Sequence, residues 1–76
     1  MMNIEENKKR NQDKLKFFLD EKIKIHILKY DKEWLNGILI EEEKPGVFVL
    51  KEDVKGLIHV FVSDVDDVDE FREVRK

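Results

Sequence analysis

The residues whose types could do chemistry are two histidines, a run of acids, a basic triplet and one tryptophan. His26 and His59 could ligate a metal, which would require a carboxylate or water converging beside them. The plainer reading is a pair of exposed or interface histidines carried on strands. The stretch DVDDVDE (64–70) has the alternation of a calcium loop. It lacks that loop's glycine, its later acidic ligand and its flanking helices, and fits a solvated acidic turn better. The same acids could pass for a general acid and base, but no nucleophile or phosphate-binding glycine loop accompanies them. No catalytic residue, metal or cofactor is therefore expected, and the chain is not expected to be an enzyme.

Lys8, Lys9 and Arg10 are contiguous and read either as an ordinary solvated helix face or as a phosphate-contacting patch. Trp34 could offer a stacking plane for a base, although tryptophan at a strand start more often packs against its own domain. Overall charge argues against a protein that holds nucleic acid chiefly through backbone phosphates. The 76 residues carry a net charge of −3, and 43% of them are charged. The first 16 residues are net +2 and the remainder −5, so any contact with nucleic acid must be local.

One domain spanning 1–76 is expected, near the lower size limit for a single core. With no cysteine, neither disulfides nor a thiolate zinc site can reinforce it, which leaves oligomerisation as the obvious extra source of stability. No long uncharged apolar run and no signal pattern are present, so a soluble protein of the cytoplasm, without a membrane partner, is expected.

The elements that must position these residues follow from hydrophobic spacing. Residues 3–19 read as a helix, with Asn3 as N-cap and Glu5 and Glu6 suiting the dipole. Its apolar residues gather in the last turn, so docking by the C-terminal end is expected, with the basic middle in solvent. KIKIHIL (22–28) alternates with period two, as a half-buried strand does. WLNGILIE (34–41) is a second strand with Gly37 marking a bend. GVFVLK (46–51) and GLIHVFV (56–62) follow, and VDEFREV (68–74) reads as a short fifth strand entered through the turn Ser63–Asp67. The fold class is thus mainly β, a small five-stranded bent antiparallel barrel (about 22–74) behind an N-terminal α-helix.

GLIHVFV is apolar on both faces, and a single small barrel cannot cover both. An exposed apolar edge invites pairing, so the fourth strand is expected to pair with a neighbour's fifth. Ile58, Val60, Val62, Val68 and Phe71 are the candidate interface residues of such a homo-oligomer, which closes as a ring when the rotation between subunits closes.

This layout resembles the Sm-like family, which includes the Sm and LSm proteins and bacterial Hfq. The first family signature reads here as Ile23-Lys-Ile25-His-Ile27, a turn, Leu35-Asn-Gly37-Ile-Leu39, Glu43, then Val47-Phe-Val-Leu50. The second is matched by Val60-Phe61-Val62-Ser63-Asp64-Val65-Asp66-Asp67-Val68. Glu43 stands at the family's Asp position, Val47 at or beside its Asn, and Phe61-Val62 in place of Arg-Gly. The resemblance implies a homo-oligomeric ring of roughly five to seven subunits that binds single-stranded RNA without catalysis. Lys44, Phe61 and the helix residues Lys8, Lys9 and Arg10 are the candidate RNA contacts. Two alternatives stand beside it: an interaction or structural barrel with no nucleic-acid partner, and a monomeric SH3-like barrel such as a Tudor or KOW domain.

Overall fold

A computed structural model describes residues 4–72. Helix α1 spans Ile4–Glu21, followed by β1 (Ile25–Lys29), β2 (Trp34–Lys44), β3 (Val47–Glu52), β4 (Gly56–Phe61) and β5 (Val65–Glu70). A single 3-10 turn, Val62–Asp64, links the last two strands. The expected helix and five antiparallel strands are all present, in one sheet of order β4-β3-β2-β1-β5. The sheet bends without closing, so β4 and β5 remain its two edges. Asn3 and the residues beyond 72, which include the end of the expected fifth strand, lie outside the described residues.

Bending has identifiable causes. β2 is 11 residues long, and its pairing with β3 skips a residue at Ile40 and again at Glu43. Each skip is a bulge that turns the strand and raises its twist. Gly37 permits the closest approach, because a Cβ there would stand 2.1 Å from the Lys51 carbonyl oxygen. Two backbone bonds then hold the curled ends together: Val62 N–H donates to the Gly46 carbonyl (2.9 Å) and Tyr30 N–H to that of Asp64 (3.0 Å).

The interior is filled by alternate residues of each strand. Ile25 and Ile27, Leu35 and Leu39, and Phe48 and Leu50 are all buried, with Leu15 and Phe18 of α1 closing one end. Burying a side chain of this size contributes about 1.5–3 kcal/mol, which is why a chain this short keeps nearly every inward position apolar.

Two sequence expectations are corrected here, one for the helix and one for the fifth strand. The helix docks along its length and not by its last turn alone, because Asn11 is buried and its Nδ2 donates to the carbonyls of Val65 and Asp66 (both 3.1 Å). Asn7 Nδ2 likewise reaches the Asp66 carbonyl (3.1 Å), so asparagines extend the docking face formed by Leu15 and Phe18. The fifth strand begins at Val65, not Val68, since a register shift between Leu28 and Lys29 skips Asp66 and lets both valines face inward. Trp34 is not packed inside but 51% exposed, as an outward residue of β2. Val60, Val62 and Val68 are each 2% exposed or less within one chain, so their side chains belong to its own core. Val60 and Val68 lie on the edge strands β4 and β5, whereas the Val62 backbone is bonded within the chain, to Gly46 and Val65.

Candidate functional site

The turn between β2 and β3 is built to hold a shape. Gly46 takes a φ of +81°, its N–H donates to Glu42 Oε2 (3.1 Å), and its carbonyl accepts from Val62 N–H. That last bond ties this turn to the 3-10 turn after β4, so two loops distant in sequence share one surface. Glu42 is thus spent on the turn, whereas Glu43 is the bulged residue, skipped between the pairs Glu42–Phe48 and Lys44–Val47. A bulge re-aims the side chain it carries. Glu43 turns to β4, where its Oε2 lies 2.8 Å from His59 Nε2.

An ionised carboxylate only accepts, so His59 donates through Nε2. Both side chains are about half exposed, and no hydrogen bond occupies Glu43 Oε1 among the described residues. Phe61, 47% exposed, follows His59 by two residues on the same outward face of β4. It pairs in register with Val47, which pairs in turn with Lys44, an exposed residue. The fold therefore places Lys44 and Phe61, the sequence's candidate RNA contacts, on neighbouring strands with Glu43 and His59, which the sequence singled out separately and in other roles. This surface offers an aromatic face, an ammonium group and a carboxylate with acceptor capacity to spare.

The basic triplet divides. Lys8 and Lys9 are exposed on α1. Arg10 donates to Asn7 Oδ1 (2.7 Å) and lies 3.7 Å from Asp67, which Lys14 also approaches at 3.5 Å. Helix cations thus offset part of the acidic charge of β5, and Arg10 has less freedom to contact phosphate than its neighbours.

A second aromatic surface lies on β1 and β2. Trp34 stacks on His26, with ring centres 3.9 Å apart and planes within 9°. His26 Nδ1 bonds Asn36 Oδ1, and Phe71 meets the imidazole edge-on at 6.1 Å. Lys24 sits 4.4 Å above the Phe71 ring and 2.5 Å from Asp53. Of the expected interface residues, Phe71 is thereby engaged within its own chain. Ile58 is half buried and lines a cavity of about 180 Å³ along the seam beside β4, with Leu35, Lys29, Glu33 and Lys55.

Ion-paired side chains form part of the lining of that cavity. Hydrogen bonds from Lys55 and then Lys29 hold the Glu33 carboxyl below its usual range, and the bond to Glu33 raises Lys29. At the β3–β4 turn, Glu52 is buried and accepts from the backbone N–H groups of Asn36 (3.0 Å), Val54 and Lys55 (both 2.8 Å). Those donors, Asn36 first, hold its carboxyl below the ordinary value.

Neither Glu43–His59 nor Glu52 is visible as a site from residue types alone. A usable signal for Glu52 is an acid closing a strand just ahead of a turn, where its oxygens can satisfy the turn's free N–H groups. The histidines do not converge: among the described residues no three His, Asp or Glu side chains come together as a metal site. No described helix is long and apolar enough to cross a membrane. No protein-family model matches the sequence, and no curated protein matches it.

Proposed function

We propose that the chain is an Sm-like, ring-forming protein of the cytoplasm that binds single-stranded RNA without catalysing a reaction on it. The observation that carries this reading is the surface formed by Phe61, Lys44, Glu43 and His59. Recognition of unpaired RNA needs a stacking plane, a cation for phosphate and a side chain able to bond a base edge. Those three chemistries meet where two loops are tied together by one backbone bond. Lys8 and Lys9 add a secondary phosphate contact on each subunit.

Assembly is supported by the sheet order, which leaves β4 and β5 as open edges. Leu57, 69% exposed, and Phe61 stand on the outer face of β4, and unpaired apolar edges of this kind favour pairing with another copy. Repetition around a ring multiplies weak contacts, which offsets the acidic net charge.

Light scattering on the full chain is expected to give one species of roughly five to seven subunits. A monodisperse monomer at micromolar concentration would sink the ring. Oligo(U) and oligo(A) titrated across a salt series are expected to bind, with affinity falling as salt rises. The exposed acids Asp67, Asp69 and Glu70 on β5 favour a second reading, a protein-interaction barrel without nucleic acid. Absence of any oligonucleotide binding at low salt would select it.

A further inference from the structure

The Glu43–His59 pair is more specific than a general RNA surface needs. His59 holds one carboxylate oxygen of Glu43, and among the described residues no hydrogen bond takes the other; Phe61, 47% exposed, follows His59 by two residues on the same face of β4. An ionised carboxylate has about four lone-pair sites and no proton to give. It therefore attracts a base edge that presents adjacent donors and repels one that presents a lone pair. Among the four bases only guanine places two donors side by side, its N1–H and its N2 amino group. Adenine sets an acceptor, N1, next to its amine, and cytosine does the same with N3. Uracil offers one N–H flanked by two carbonyls.

We propose that Glu43, held in place by His59, reads the Watson–Crick edge of a guanine stacked on Phe61, so the RNA surface prefers guanine. This rests on the RNA-binding reading above and names its base specificity. Three features support it. Glu43 is a bulge residue, aimed out of the ladder and not paired within it. Its partner His59 is a donor that fixes orientation without neutralising the second oxygen. The neighbouring acid Glu42 is already bonded to Gly46, which leaves Glu43 as the free reader at this turn. In this arrangement Glu43 contacts the base, and His59 is a positioning residue.

The test uses the full chain and three fluorescein-labelled U-rich heptamers that differ only at the central base: guanine, inosine or adenine. Inosine keeps N1–H and lacks the N2 amine. Guanine is expected to bind about tenfold tighter than adenine, with inosine between them. In Glu43→Gln, where a carboxamide replaces one acceptor by a donor, the guanine-to-adenine ratio should fall to near one. His59→Ala should lower the same ratio, and an unchanged ratio would overturn its positioning role. Equal affinity of the wild-type protein for all three heptamers, or a preference for adenine, overturns the specificity and leaves RNA binding standing. No binding of any heptamer overturns both.

Discussion

Glu52 and Glu43 stand at opposite ends of the same β2–β3–β4 stretch, and their surroundings make them different kinds of residue. Glu52 is buried at the end of β3, and its two oxygens accept three backbone N–H groups. Every one of those bonds is internal, so the side chain staples the β3–β4 turn to β2. Glu43 is half exposed, accepts one bond from a histidine and, among the described residues, has no bond to its other oxygen. Acceptor capacity satisfied by the backbone builds a fold, and capacity left over at the surface is available to a ligand. Their ladder positions produce the contrast: Glu52 pairs in register with Gly37, whereas Glu43 is skipped.

The sharpest break of this contrast is at Gly37, opposite Glu52. In Gly37→Ala the new methyl would meet the Lys51 carbonyl oxygen at 2.1 Å, and the obstructing atoms are backbone that cannot swing aside. A loss of about 3 kcal/mol or more is expected, a large share of the stability of a domain this small. Urea denaturation followed by circular dichroism measures it, and a midpoint matching the parent protein would refute the close approach.

Glu52 comes next. Glu52→Gln keeps the shape but replaces a charged acceptor of three bonds with an amide, at an expected cost of about 2 kcal/mol, since two of the donors can turn to water. The pH dependence has a definite sign. The folded carboxyl lies below its ordinary value of 4.5, so its contribution is complete above that value. It is lost as the pH falls through the depressed folded value. Denaturation midpoints should therefore drop on acidification below about pH 4.5 in the parent and drop less in Glu52→Gln. Parallel midpoint curves for the two proteins would show that Glu52 is not the staple.

Much of this scaffold is readable in the residues themselves. Ile25 and Ile27 alternate as a half-buried strand should, and Gly37 within an apolar run marks the bend it makes. Legibility fails where packing depends on irregular register. Val65 and Val68 are three apart, and only a bulge at Asp66 turns both inward, so a period-two reading starts the strand too late. Asn7 and Asn11 continue the helix face of Leu15 and Phe18 at helical spacing, but their polarity hides them; their partners are backbone carbonyls that only the fold supplies. Glu43 and His59 meet only because the β2–β3 bulge and the β3–β4 register bring them together. Lys44 and Phe61 drew notice as RNA contacts; Glu43 and His59 drew notice too, but singly and in other roles, and their pairing is not readable from the sequence.

The smallest expected effect makes the contrast sharpest. If Glu43 serves a ligand and not the fold, Glu43→Gln should change stability by less than about 0.5 kcal/mol, the scale of a solvent-exposed ion pair. Nothing in its surroundings argues for more: among the described residues no backbone group bonds to it, its partner is half exposed, and the turn is held at Gly46 by Glu42 and by the Val62 N–H. The two glutamine variants remove the same charge from the same ladder, so comparing them in one denaturation series cancels the change in net charge. The expected outcome is a clear midpoint loss for Glu52→Gln beside an unmoved midpoint for Glu43→Gln. A loss at Glu43 as large as that at Glu52 would make the His59 pair a structural clasp, and its open oxygen would then have no claim on a base.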